Sequence, residues 1–151
     1  KSLNWIEIQT LVEIIVISAR IENYNPAQFL YNSLTSKDFN TSAFNDRNYL
    51  PLIYSTLARI FGMMSELEKV LELTNIGMDY CTTYETSSSY SNLAMYNAYA
   101  HLELGNTNEA KESAKLAFLQ LYIEKKPNKF RQFQESFEKK FNMKLEDLIK
   151  L

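Results

Sequence analysis

Apolar residues return every three or four positions along almost the whole chain, and that period predicts helices. Trp5, Ile8, Val12, Ile15 and Ala19 trace it through a first helix over roughly 3–22. A second helix starts at Asn25-Pro26, with Asn25 as cap, Pro26 in the first turn and Gln28 closing a capping box, and runs to about Leu34. Residues 35–47 are polar and aperiodic, which predicts the longest loop. The third helix covers about 48–61 and stops near Gly62. Ser65-Glu66-Leu67-Glu68 reads as a capping box opening a fourth helix, which buries Val70, Leu71, Leu73, Thr74, Met78 and Cys81 and ends near Tyr84. Three serines at 87–89 lead into a fifth helix over about 89–104, with Gly105 past its end. Asn106 and Glu109 form a third expected capping box, ahead of a sixth helix to about Glu124. Pro127 begins a seventh, over 127–141, and 143–150 forms a short last one.

Two of these helix pairs resemble each other. Leu57 to Gly62 followed by Glu66 to Leu71 matches Ala100 to Gly105 followed by Glu109 to Ala117, with the glycines 43 residues apart. A helix pair cannot bury both of its faces alone, so such units stack. The second pair resembles the tetratricopeptide pattern, with Ala98, Gly105, Ala110 and Ala117 at small-residue or turn positions. Ala94, Asn97, His101 and Ala114 depart from that motif, and its usual period is shorter. The expected fold is all-α: stacked antiparallel helix pairs in a tetratricopeptide-like, right-handed superhelical repeat, forming one domain over 1–151.

Such a stack has a concave face lined by the first helix of each pair. On the third helix the concave stripe is Tyr49, Leu52, Ile53, Thr56 and Arg59; on the fifth it is Asn92, Met95, Tyr96, Tyr99 and Glu103. Ala94, Asn97, Ala98 and His101 face the sixth helix instead. Tyr49, Thr56, Arg59, Asn92, Tyr96 and Tyr99 are the candidate peptide-binding residues. An Asn side chain can both donate to and accept from a peptide main chain, and Arg can hold a carboxylate through two parallel bonds. Phe130, Phe133, Phe137 and Phe141 recur at helical spacing, a stripe that either caps the end of the helical stack or forms a subunit interface.

Composition narrows the chemistry. The chain has 151 residues, 46% hydrophobic and 23% charged, with a net charge of −2. That suits one soluble domain with a sizeable core and excludes a disordered or disulfide-stapled chain. The single Cys81 and single His101 cannot make a zinc cluster, so no metal or cofactor is expected. No Gly-rich phosphate loop, metalloprotease motif or nucleophile elbow occurs, and the chain reads as a non-enzyme. Residues 11–17 are the most apolar run, too short to span a bilayer and interrupted by Glu13. The basic residues over 125–144 read as a solvated helix face.

The opening Asn4-Trp5-Ile6-Glu7-Ile8, the irregular pairs around Tyr54–Gly62 and Tyr96–Gly105, and the Lys- and Phe-rich tail resemble the C-terminal domain of Rgg/GadR/MutR-type transcriptional regulators, relatives of the PlcR and PrgX peptide-pheromone receptors. The resemblance implies a cytoplasmic homodimer that binds a short signalling peptide in its groove. It also implies a helix-turn-helix domain upstream, the only route to DNA, and the start at Lys1 fits the absence of that domain from this chain. The competing expectation is a tetratricopeptide-like scaffold that holds a protein partner and has no DNA-binding head.

Overall fold

Four helices in a row stop at the same kind of turn. In this computed structural model, which describes residues 3–40 and 46–150, positive φ angles fall at Ser65, Glu85, Gly105 and Lys125, twenty residues apart. The next residue in each case turns its backbone N–H back to the helix it has left. Glu66 donates to the Phe61 carbonyl at 3.0 Å, Thr86 to Cys81 at 3.0 Å, Asn106 to His101 at 2.8 Å and Lys126 to Leu121 at 3.2 Å. This six-to-one bond satisfies a carbonyl that the helix end would leave bare. The elements are α1 (Trp5–Arg20), α2 (Asn25–Leu34), α3 (Tyr49–Met63), α4 (Leu67–Thr83), α5 (Tyr90–Glu103), α6 (Thr107–Ile123), α7 (Pro127–Phe141) and α8 (Leu145–Ile149). Among the described residues there is no strand, and the fold is all-α. The expected loop lies between α2 and α3, and its residues 41–45 fall outside the described ones.

The turn spacing corrects the repeat. Gly62 is a residue of α3, not its end, and the turn equivalent to Gly105 is Ser65. The period is therefore 40 residues and not 43. Burial obeys it: positions 51, 53, 54, 55, 57, 58 and 60 are buried in α3, and 91, 93, 94, 95, 97, 98 and 100 in α5. Likewise 70, 73, 74, 77 and 81 in α4 recur as 110, 113, 114, 117 and 121 in α6. Each helix touches only close neighbours: α3 packs on α1, α2, α4 and α5, while α5 packs on α3, α4, α6 and α7.

The same turns remove the expected capping boxes. A box needs the N-cap N–H free for the side chain three residues on. At Glu66 and Asn106, the N-caps of α4 and α6, that N–H is already bonded to the previous helix, and neither makes a side-chain cap. Ser65 sits in the left-handed turn itself, and Asn25 lies inside α2 behind Tyr24. The box that does form is Asn4 with Glu7, where the N-cap N–H goes to the Glu7 side chain: Asn4 donates to Glu7 at 2.8 Å and accepts from its N–H at 3.0 Å.

Small residues set how closely the helices approach. Ala94 and Ala98 of α5 share a buried cluster with Ala114 and Ala117 of α6, all fully buried. Gly77 of α4 lies so near α3 and α5 that a Cβ there would sit 2.9 Å from Leu93 and 3.2 Å from the Tyr54 Cβ. Two apolar cores result, one spanning α1 to α5 and one running from α5 to α8. Between them lies a buried polar knot. The Asn97 amide of α5 donates to Thr74 Oγ at 2.8 Å and to Asn75 Oδ at 3.0 Å, both on α4, and accepts from Ser113 Oγ of α6 at 2.6 Å. Replacing Asn97 by Leu strands the Ser113 hydroxyl in the core, and an unsatisfied buried group costs about 1–3 kcal/mol. The expected outcome for Asn97→Leu is a loss near the top of that range in urea unfolding; an unchanged midpoint refutes the role given to this knot.

The last helix is held by a carboxylate. Glu138 of α7 accepts from Gln134 Nε2, from the Leu145 N–H at the start of α8 and from Lys144 Nζ, each at 3.1 Å. The Gln134 bond foremost, then those from Leu145 and Lys144, hold its carboxyl down from 4.5 to about 2. A group depressed in the folded state stabilises it above the ordinary carboxylate range and loses that effect as pH falls. The attachment of α8 therefore weakens between pH 4.5 and about 2. Exchange of the Leu145 amide should accelerate over that window relative to α5 amides. Glu138→Gln should abolish the dependence, and a flat profile in the native protein contradicts it.

Candidate binding groove

Because α3 and α5 lie side by side in the same register, their helical period brings Arg59 to the same place as Tyr96, Tyr99 and Glu103. These four border a cleft of about 230 Å³, whose floor is Ala58, Gly62, Val70 and Ala100. Met63 and Leu67 complete one side, and Lys140 of α7 overhangs the other. Small residues at the floor keep the cleft open between the larger side chains.

The polar equipment is specific. The Tyr99 hydroxyl donates to Ser136 Oγ of α7 at 2.7 Å, and Lys140 Nζ lies 5.0 Å from the centre of the Tyr99 ring. Burial raises the pKa of Tyr99, with the Ser136 bond acting the other way. Burial likewise raises Tyr96, opposed by the nearby Arg59 charge. Both phenols are therefore neutral at physiological pH. Among the described residues no carboxylate pairs with Arg59, which is exposed. Two cations, two phenol rings and one carboxylate thus face a small, partly apolar hollow. Such a set can hold an anionic group against the cations while an apolar side chain fills the floor.

The residues singled out from sequence divide. Arg59, Tyr96, Tyr99 and Glu103 come together. Tyr49, Thr56 and Asn92 do not line the cleft. The Tyr49 ring leans on Trp5, with centroids 5.5 Å apart, and the Thr56 hydroxyl donates to the Leu52 carbonyl within its own helix at 2.8 Å. Ile53 and Met95, expected on the concave stripe, are buried in the core. Lys140 is the contributor that sequence reasoning missed. Its signal was its place one turn after Ser136 on α7, hidden in a Lys-rich segment read as solvated.

Of the phenylalanine stripe only Phe137 is fully buried; Phe130, Phe133 and Phe141 are half-buried. Phe137 lies edge-on to Phe118 at 5.5 Å and beside Phe141 at 4.4 Å. Phe130 packs on Phe118 at 5.2 Å, while Lys129 lies 5.4 Å from the Phe133 ring centre. In this structure the stripe clamps α7 onto α6, and Phe137 offers nothing to a second subunit. His101 Nδ1 lies 3.4 Å from the Asn106 amide at the end of α5. Cys81 is buried, its thiol pushed up to about 11 by that burial, and its Sγ donates to the Ser88 carbonyl. A thiol so protonated is a poor nucleophile. Among the described residues no cluster of three metal-ligating side chains occurs, and no helix is long and apolar enough to cross a membrane.

Phe137→Ala should cost about 3–5 kcal/mol, the range for emptying a buried aromatic site. Thermal melting checks this: a loss below 1 kcal/mol would mean that the clamp carries little of the tail's stability. No protein-family model, curated protein or solved structure matches the chain.

Proposed function

We propose that this chain is a ligand-sensing domain that binds a short peptide in the cleft between α3 and α5. The observation that carries the reading is Arg59. It is an exposed cation with no carboxylate partner among the described residues, set beside two half-buried tyrosines and within the same cleft as Lys140. A peptide carboxylate meets Arg59 and Lys140, and an adjoining apolar side chain occupies the floor. Helix pairs repeating at 40 residues fit a tetratricopeptide-like, right-handed stack, the arrangement in which such clefts extend into grooves.

The resemblance to the Rgg/GadR/MutR regulators supplies the wider reading. On it, the domain belongs to a cytoplasmic transcriptional regulator, acts as a homodimer and reaches DNA through an upstream helix-turn-helix. Peptide binding shifts the population of dimer geometries, and with it the setting of the DNA-binding heads.

Calorimetric titration with a library of short, apolar peptides bearing free C-terminal carboxylates tests the binding. Charged hydrogen bonds contribute about 1.5–3 kcal/mol, so Arg59→Ala should weaken a saturable micromolar interaction by at least tenfold. Lys140→Ala should do the same to a smaller extent, and amidating the peptide C-terminus should remove the effect of both substitutions. Binding indifferent to Arg59, or no binding across the library, sinks the peptide-sensor reading and leaves the protein-scaffold one.

A further inference from the structure

We infer that two adjoining hollows beside α6 form one binding site for a single-chain amphiphile with an anionic head, a long-chain carboxylate, its alkyl tail between α6 and α8 and its head at Lys125 and Arg131. The tail hollow has a volume of about 410 Å³ and is walled by Leu116, Leu119 and Tyr122 of α6, Phe130 of α7, and Leu148 and Ile149 of α8. That volume lies within the range of small-molecule sites, and the wall is apolar as theirs are. The fold does not require this face. The core-facing side of α6 is complete with Ala110, Ala114, Ala117, Phe118 and Leu121.

The 40-residue repeat supplies an internal control. Leu119, Tyr122 and Ile123 of α6 correspond to Asp79, Thr82 and Thr83 of α4, on the same face of an equivalent helix. All three α4 residues are exposed and polar. On α6 the apolar Leu119 is 56% exposed and Tyr122 77%. Equivalent packing thus tolerates a polar face in one pair and carries an apolar one in the next. Apolar patches of this kind mark interaction sites.

Charge selects the occupant. The second hollow, of about 570 Å³, shares Tyr122 and Phe130 with the first. Its charged lining residues are Lys125, Lys126 and Arg131, with no carboxylate among them. Lys126 pairs with Glu124 at 2.6 Å. Lys125 and Arg131 are exposed and take part in no ion pair among the described residues. Arg can hold a carboxylate through two parallel bonds, and Lys serves it as a point charge. At the other rim of the apolar hollow Lys115 is already paired with Glu112, at 2.9 Å. The site therefore has one apolar end and one cationic end, the arrangement that a tail with a single anionic head requires. A whole anionic bilayer fits less well. It would press on the exposed Glu112 beside the hollow and on the exposed Glu146 and Asp147 of α8.

This site is separate from the cleft between α3 and α5, so either reading can fail alone. Calorimetric titration of the 151-residue chain with hexanoate, octanoate, decanoate and dodecanoate, each below its micelle concentration, should show saturable binding. Affinity should tighten about fourfold per added methylene until the hollow is full. Lys125→Gln combined with Arg131→Gln should weaken decanoate by at least about tenfold and leave decanol unchanged. Leu119→Glu should weaken both by at least about tenfold, while circular dichroism and the melting temperature stay as in the native chain. Arg59→Ala should alter neither. Absence of saturable binding, or an affinity indifferent to chain length, overturns the inference, and so does a double variant equally impaired toward decanol. A loss of decanoate on Arg59→Ala places the carboxylate in the other cleft and overturns it as well. Phosphatidylglycerol vesicles should not pellet the chain. Pelleting that Leu119→Glu abolishes gives the face to a bilayer, and a Leu119-dependent dimer in sedimentation equilibrium gives it to a second copy; either result overturns the amphiphile site.

Discussion

A helix stop every twenty residues, held by a backbone in the left-handed region, governs this structure. It sets one twenty-residue step of helix plus turn for α4, α5 and α6, and the equal steps keep the chain in register. Register in turn makes the buried positions of α3 and α4 recur in α5 and α6. Gly105 meets the requirement without a Cβ, but Ser65, Glu85 and Lys125 meet it with one. An L residue there is strained by about 1–2 kcal/mol. The six-to-one hydrogen bond and the packing that follows each turn offset that strain. Turn spacing, more than glycine placement, is what the chain enforces.

This explains which parts of the fold were legible beforehand. Eight helices could be read from period alone, because most stability in such helices comes from an apolar face meeting its neighbour. The repeat register was misread because glycine was taken as the mark of a turn. Gly62 lies within α3, and the serine three residues later carries the turn. The capping boxes failed for a related reason. Their sequence signature describes an isolated helix start, whereas in α4 and α6 the N-cap amide already closes the helix before it. At Asn4 the N-cap amide is bonded instead to the Glu7 carboxylate, and the box forms.

The groove was half legible. Residues on α3 and α5 follow one period, so the meeting of Arg59 with Tyr96, Tyr99 and Glu103 could be inferred from spacing. What spacing does not reveal is prior commitment. Tyr49 is engaged with Trp5, and Thr56 is bonded back to its own helix, a common fate of threonine inside helices. Nor could spacing reach Lys140, which arrives from α7 through the Tyr99–Ser136 hydrogen bond. The phenylalanines of α7 were legible as an apolar stripe. Spacing left open whether it caps the stack or meets a second subunit, and Phe137 is the member that packs fully buried against Phe118.

α5 is the common wall of these features. One side carries Tyr96 and Tyr99, and another meets α6 through alanines and the Asn97–Ser113 bond. Contacts between buried alanines leave little room for sliding, so α5 and α6 behave as one body. The opposite wall of the groove is different in kind. α7 meets α5 through the buried core around Phe137 and, at the cleft, through Lys140 over Tyr99, Ser136 on its hydroxyl and Phe141 at 6.4 Å from its ring. Phe137 holds α7 to α6, and a long exposed side chain changes rotamer at less cost than a packed backbone shifts, so the compliance of the site lies in Lys140. A carboxylate drawn between Arg59 and Lys140 would therefore move these two side chains and leave the packed helices in place.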